Sequence, residues 1–217
     1  MRQRAFDLPV KTRFGHADFL VSDCNREASE WIERWPDWPG PALVLYGPSG
    51  SGKTHLAHLW CERAGAALIA GAAVADAAPF GAAAAVAIDD AEWAAEEPLL
   101  HLYNSTLERR ASLLLTMPAP PASLLLALPD LASRLRALPV AGIAPPDDAL
   151  LAAVLVKHFA DRQISVKPGV IAYLIARIER SFAAAASVAA KLDEAALAAR
   201  RPITIKLARA VLAELGR

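Results

Sequence analysis

A glycine-rich stretch between a short apolar run and a helix-compatible segment is the feature that most constrains the fold. It matches the pattern G-x-x-x-x-G-K-[ST] and consists of Gly47, Pro48, Ser49, Gly50, Ser51, Gly52, Lys53 and Thr54. Glycines let the backbone wrap closely around phosphate oxygens, so that amide hydrogens and a helix N-terminus point at the anion. The pattern predicts a strand, a phosphate-binding loop and a helix, in that order. A glycine-rich turn without a ligand is the alternative.

Five short apolar runs, each bounded by turn residues, predict five buried strands over residues 42–46, 66–70, 84–88, 112–116 and 138–143. Helix-compatible stretches lie between them, including residues 54–63 and 98–110. Such alternation is typical of a parallel sheet covered by helices on both faces. The sequence therefore predicts an α/β core.

The pattern changes after residue 143. Pro145, Pro146, Asp147 and Asp148 form a helix-start signal, because aspartates satisfy free amides and the positive end of the helix dipole. Apolar residues then repeat at helical spacing over 150–159 and 170–178, and two more helices are predicted over 181–200 and 203–215. We expect three parts, which are a tail over 1–12, the α/β core over 13–144 and a small helical domain over 145–217.

Charge and composition exclude several classes of protein. The 23 basic and 23 acidic residues balance, which argues against a general attraction to nucleic acid or anionic lipid. Cys24 and Cys61 lack zinc-site spacing, and the first ten residues lack the features of a secretory signal. The alanine-rich region 64–88 is interrupted by glycines, a proline and Asp76, so no membrane span is predicted. We expect a cytoplasmic protein.

Two carboxylates end the third apolar run, which continues from residue 84 into Asp89 and Asp90. The carboxyl ends of parallel strands meet at one edge of a sheet, so these groups are expected beside the phosphate loop. We expect Lys53 to reach the β- and γ-phosphates of ATP or ADP, and Thr54 and Asp89 to hold Mg²⁺. Asp90 would orient or deprotonate the attacking water. A solvated turn or a helix cap is the alternative for the two aspartates.

These residues resemble the AAA+ ATPases and, within them, the DnaA group of bacterial replication initiators. The resemblance covers nearly the whole chain and rests on the phosphate loop followed by His55-Leu56, on Asp89-Asp90, on Leu102-Tyr-Asn104 and on Asp130-Leu-Ala-Ser-Arg134-Leu135. It implies an AAA+ P-loop core with a five-stranded parallel sheet, followed by a small α-helical lid domain.

The resemblance also implies roles for individual residues. Arg134 would be an arginine finger that acts on the nucleotide of a neighbouring subunit, although a surface salt bridge is the ordinary alternative. Arg180 would clamp the phosphates from the lid, or else reach solvent. Thr116 would be the first sensor of the γ-phosphate, or an ordinary strand-end threonine. Val21 would give backbone contacts to the base.

The initiators continue beyond the lid into a DNA-reading domain, whereas this sequence has no basic helix after the helical domain and a net charge of zero. We therefore expect no direct sequence-specific DNA binding, and the resemblance narrows to DnaA-related AAA+ proteins of the Hda type. Gln3, Phe6 and Leu8 precede Pro9 and look like the peptide by which many proteins hold the sliding clamp, the β subunit of DNA polymerase. A tail that packs on its own domain is the alternative.

The expected function is that of a regulator with weak intrinsic ATPase activity, tethered to the sliding clamp, that promotes ATP hydrolysis by DnaA and so prevents re-initiation. Assembly into a homo-oligomer is possible. A DnaC-like helicase loader or nucleotide-gated adaptor is one alternative, and a scaffold locked in its ADP form is another.

Overall fold

Five parallel strands form the sheet at the centre of the computed structural model, which describes residues 20–74 and 84–215. The strands are β1 (Ala42–Tyr46), β2 (Ala67–Ala70), β3 (Ala85–Asp89), β4 (Ser112–Met117) and β5 (Val140–Gly142). Their order is β2-β3-β4-β1-β5, with β1 between β4 and β5. The predicted α/β class and parallel sheet are confirmed.

Helices cover both faces of this sheet. They are α1 (Arg26–Arg34), α2 (Lys53–Ala64), α3 (Glu96–Arg109) and α4 (Pro129–Arg136). Because side chains alternate along a strand, Leu43 and Leu45 of β1 pack with α1 and α2, whereas Val44 packs in the cluster that includes α3 and α4. Burial on both faces explains why the strands are continuous apolar runs rather than alternating ones.

The edge strand β5 is shorter than predicted, because the expected run over 138–143 contains Pro139. Proline has no amide hydrogen for the ladder, although its carbonyl still accepts the Val44 N–H at 3.1 Å. The regular strand therefore begins at Val140.

The carboxyl-terminal helices share a core of their own. They are α5 (Asp148–Asp161), α6 (Pro168–Ile175), α7 (Phe182–Ala199) and α8 (Ile205–Leu215). Leu155, Phe159, Leu174 and Leu192 are buried at its centre. Within the described ranges, no helix is both long enough and apolar enough to cross a membrane.

Side-chain caps fix where two of these helices begin. Asp147 accepts the Leu150 N–H at 2.7 Å and starts α5, as the Pro-Pro-Asp-Asp signal predicts. Ser181 accepts the Ala184 N–H at 3.1 Å and starts α7.

Candidate functional site

The glycine-rich loop lies between the end of β1 and the start of α2, where the sequence predicts it. Gly52, the residue before α2, has a φ of 100°. Residues with a side chain rarely adopt that backbone conformation, so a glycine is required there. The loop therefore contains a turn that depends on glycine, as a phosphate-binding loop requires.

Lys53 and Ser51 give this loop the character of an anion site. The Lys53 side chain is buried, and its Nζ donates to the carbonyl oxygens of Gly47 at 2.8 Å and Pro48 at 3.1 Å. Ser51 is only 2% exposed, and its Oγ has no hydrogen-bond partner among the residues that the structure describes. Buried polar atoms are normally paired, so a ligand that accepts from Ser51 and Lys53 fits the loop. Ser49 is exposed at its tip.

The predicted acidic edge forms where β3, β4 and α2 meet. Asp89 at the end of β3 accepts hydrogen bonds from Thr54 Oγ1 at 2.9 Å and from Thr116 Oγ1 at 2.6 Å. Thr116 is fully buried and also accepts the Asp90 N–H at 2.8 Å. Thr54 and Asp89 are thus in direct contact, as expected of two groups that share one metal ion.

The residues present fit a magnesium–nucleotide site rather than a protein-only metal site. In residues 20–74 and 84–215, no three His, Cys, Asp or Glu side chains cluster closely enough to hold a metal ion. Mg²⁺ characteristically takes one or two protein oxygens and completes its shell with phosphates and water. Thr54 and Asp89 match that requirement.

Asp90 ends the strand in an unusual conformation. Its φ is 52°, which turns the chain from β3 into a short helical turn over Ala91–Trp93. The Asp90 side chain is exposed, whereas Asp89 is half-buried. The two neighbouring carboxylates therefore have different surroundings.

Glu92 is a third carboxyl group at this edge, which our sequence reasoning missed. Its Oε2 is buried and has no hydrogen-bond partner in the described part of the chain. Burial raises the pKa of Glu92, and the negative charges of Asp90 and Asp89 raise it further, while Lys53 lowers it. Glu92 is therefore close enough to Lys53 of the phosphate loop for the charges of the two side chains to interact. The signal in the sequence was its position two residues after Asp90.

Arg134 lies on α4 and is held by two side chains. Its guanidinium makes a two-pronged contact with Asp130, through Nε at 3.0 Å and Nη2 at 3.2 Å. The same group lies over the ring of Tyr103 on α3, 5.8 Å from its centre. The sequence predicts no role for Asp130 or Tyr103 as partners of Arg134, although the spacing of four residues between Asp130 and Arg134 is typical of a helical ion pair.

Arg180 precedes α7, and its Nη2 contacts Asp148 at the start of α5 at 2.9 Å. Its side chain is 58% exposed. The three residues that follow Arg180, rather than Arg180 itself, are the ones that the structure shows against the phosphate loop.

Val21 is exposed in the segment before α1. The turn beside it is fixed by the buried Asn25, which accepts the Ser22 N–H at 2.8 Å and donates to the Leu20 carbonyl at 3.0 Å. Gln3, Phe6 and Leu8 lie outside the described residues.

Comparison with known proteins places the carboxyl-terminal domain in a family. Residues 147–212 match the family described as Hda, lid domain. The helical domain is thus similar to the lid of Hda proteins. This match over the lid, together with the DnaA-like fold of the whole chain, supports the predicted resemblance to DnaA-related AAA+ proteins of the Hda type.

Solved structures show the fold shared by the core and the lid. Domain III of the replication initiation protein DnaA from Thermotoga maritima matches with a TM-score of 0.81 at 16% identity, over 95% of this chain and 98% of that one. AMPPCP-bound DnaA from Aquifex aeolicus matches at 0.65 and 18% identity, over 75% of this chain and 59% of that one. A RuvB variant from Thermotoga maritima matches at 0.70 and 14% identity, over 88% and 68%. This chain thus aligns with about three fifths of the Aquifex DnaA.

Proposed function

We propose that this Hda-type protein binds ATP or ADP with Mg²⁺ and regulates chromosome replication by promoting ATP hydrolysis on DnaA. The observation that carries the proposal is the presence, in one chain, of an Hda lid, a phosphate loop with unpaired buried Ser51, and Arg134 mounted on α4. The similar DnaA from Aquifex was solved with AMPPCP, which supports an adenine nucleotide as the ligand.

The nucleotide would be held by residues 47–54. Loop amides and Lys53 take the phosphates, Thr54 and Asp89 hold Mg²⁺, and Val21 offers backbone contacts to the base. Mg²⁺ neutralises charge on the phosphates. Thr116 positions Asp89 through its 2.6 Å hydrogen bond, and Asp90 orients water. We propose that hydrolysis of this protein's own nucleotide is weak, because Asp90 is shorter than the glutamate at this position in many AAA+ proteins.

Arg134 is the residue that would act on DnaA. A guanidinium supplied by a partner to a triphosphate raises the hydrolysis rate by roughly 10³- to 10⁵-fold in well-studied systems. In the free protein Arg134 is paired with Asp130, which is 58% exposed. Exposed ion pairs of this kind contribute only about 0–1 kcal/mol. Arg134 would therefore exchange Asp130 for a phosphate at little cost, with the Tyr103 ring still 5.8 Å from the guanidinium.

The tether to the sliding clamp is the second part of the proposal. Gln3, Phe6 and Leu8 would bind the β subunit in extended form. Holding the regulator on DNA-bound clamps restricts its action to the period after replication has started. The tethered protein would act in the cytoplasm, either as a monomer or as a homo-oligomer.

The decisive experiment measures ATP hydrolysis by DnaA with DNA-loaded clamp and this protein. We expect Arg134→Ala to reduce the stimulation by about tenfold or more. Arg136→Ala is the matched control, because Arg136 lies on the same helix and is exposed. Equal stimulation by Arg134→Ala and wild type would remove the finger role.

Clamp capture tests the tether separately. Deleting residues 1–9 should abolish co-purification with the β clamp and leave the thermal unfolding midpoint unchanged. Clamp binding that survives the deletion contradicts the tether. Capture of the replicative helicase without clamp or DnaA would favour a DnaC-like loader instead.

A further inference from the structure

The helix that carries Arg134 begins without a side-chain cap from its own sequence. The residue before α4 is Leu128, whose apolar side chain accepts no hydrogen bond, and Pro129 at the start of the helix has no amide hydrogen. Glu96, the first residue of α3, accepts the Ala127 N–H at 2.8 Å through Oε1 and the Leu128 N–H at 2.6 Å through Oε2. The start of α4 is thus capped from another helix, by a residue 32 positions earlier.

The Glu96 carboxylate fixes the start of α4 in direction as well as in distance, because each of its oxygens has its own amide donor. A negative charge at this end also stabilises a helix, since the free amides of the first turn give it a partial positive charge. Leu124, Leu126 and Leu128 pack against the core beside α3 and α4. Glu96 therefore adds a directional polar contact to the apolar packing of this segment.

Glu96 and Tyr103 lie on the same face of α3, because seven residues make almost two helical turns. Glu96 contacts the start of α4, and the Tyr103 ring lies 5.8 Å from the guanidinium of Arg134 in its last turn. The two contact points are about 10 Å apart along α3, and Leu128 and Arg134 are about 9 Å apart along α4. The contacts thus follow the same order along both helices, and α3 contacts α4 at each end.

We infer that Glu96 is a positioning residue for Arg134. By holding the start of α4 against α3, it fixes the direction in which the guanidinium points. The inference rests on the proposed action of Arg134 on the nucleotide of DnaA and adds the residue that sets its position. A displacement of about 1 Å caused far from the chemistry costs up to about 100-fold in rate. Glu96 acts through Arg134 and contacts no phosphate itself.

Glu97 provides a matched control for the charge of Glu96. It is the next residue in the first turn of α3 and is exposed. Its side chain makes no hydrogen bond or ion pair with any of residues 20–74 and 84–215. Glu97→Ala therefore removes the same charge from the same helix end and keeps the contacts with Ala127 and Leu128. Glu96→Gln removes the charge and keeps one oxygen that accepts an amide.

The first experiment measures ATP hydrolysis by DnaA on DNA-loaded clamp over a range of concentrations of this protein. We expect Glu96→Ala to lower the rate at saturation about tenfold and to leave the half-saturating concentration within about twofold of wild type, because the variant docks but misplaces Arg134. Glu96→Gln should restore part of the rate, and Glu97→Ala should behave as wild type. A purely structural loss of folded protein would instead raise the half-saturating concentration, and thermal unfolding measures that loss directly.

Combination with Arg134→Ala tests whether Glu96 acts through the arginine. The double variant should be no slower than Arg134→Ala alone, because an absent guanidinium cannot be misplaced. A further loss in the double variant, or a full rate with Glu96→Ala when Arg134→Ala is slow, would overturn the inference and leave the proposed function standing. Equal stimulation by Arg134→Ala and wild type would remove the proposed function itself.

A measurement without DnaA tests the geometry alone. The Nε–H resonance of Arg134 in the nuclear magnetic resonance spectrum senses the Tyr103 ring, because an aromatic ring shifts the resonances of protons close to it. Glu96→Ala should move this resonance, and Glu97→Ala should leave it in place. An unmoved resonance in Glu96→Ala would overturn the inference whatever the result with DnaA.

Discussion

Replacing Thr116 with valine tests whether the acidic edge is held in place from within the sheet. The Thr116 hydroxyl is fully buried, donates to Asp89 Oδ1 at 2.6 Å and accepts the Asp90 N–H at 2.8 Å. Valine keeps the β-branched shape that suits β4 and removes both hydrogen bonds. The mutation therefore isolates the hydroxyl from the packing of the side chain.

The cost follows from the two bonds. A hydrogen bond to a carboxylate contributes about 1.5–3 kcal/mol, and one between neutral groups about 0.5–1.5 kcal/mol. Asp89 is half-buried and regains some water, so the lower part of each range applies. We expect Thr116→Val to lower the free energy of unfolding by about 2–3 kcal/mol, a substantial part of the roughly 5–15 kcal/mol of a typical domain. Thr116→Ser keeps both bonds and loses one methyl group, which costs about 1 kcal/mol.

Urea denaturation of wild type, Thr116→Val, Thr116→Ser and Asp89→Asn gives these values directly. The losses in the free energy of unfolding caused by Thr116→Val and Asp89→Asn should be non-additive in the double variant, because both changes weaken the hydrogen bond between Thr116 and Asp89. A valine variant no less stable than the serine variant would refute the argument. Thr116 would then be an ordinary strand-end threonine.

Two further predictions concern titratable groups near the site. Burial, reinforced by the charges of Asp90 and Asp89, raises the pKa of Glu92, so the folded protein loses stability as the pH rises through that pKa. Glu92→Gln should therefore raise the melting temperature more at pH 8 than at pH 5. A gain in melting temperature that does not depend on pH would contradict this prediction. Burial, with the charge of Asp89, raises the pKa of Cys61 to about 11. In the folded protein at pH 8, a thiol reagent should therefore modify the half-buried Cys24 and should modify Cys61 only when urea is added. Equal modification rates at the two thiols would contradict this prediction and show that α2 opens readily.

The extent of each element could be predicted where local sequence and burial agree. β1 coincides with its apolar run over Ala42–Tyr46, because a strand covered on both faces needs apolar residues throughout. In the lid, apolar spacing continues to Ile178, whereas α6 ends at Ile175. Ile178 still packs against the core of the lid. The spacing of apolar residues thus indicates which residues are buried. It does not indicate where a helix ends, because the end depends on backbone contacts.

The same distinction applies to the site. Lys53, Thr54 and Asp89 could be placed together from sequence, because one loop motif and the carboxyl edge of a parallel sheet bring them there. The two contacts of the Arg134 side chain could be predicted only in part. Asp130 is its neighbour along one helix, whereas Tyr103 lies 31 positions earlier on α3 and reaches Arg134 through the packing of α3 against α4.

The position of the lid over the loop depends on a contact between distant parts of the chain. Ser181 is a preferred N-cap residue, so a helix start there is readable, but successive residues of a helix differ by about 100° in direction. Which of them faces the loop is settled by the Phe182–Gly50 hydrogen bond. Gly50 permits that contact because it has no side chain and adopts a φ of 70°. The absence of a side chain at Gly50 thus allows both the turn of the phosphate loop and its contact with the first turn of α7.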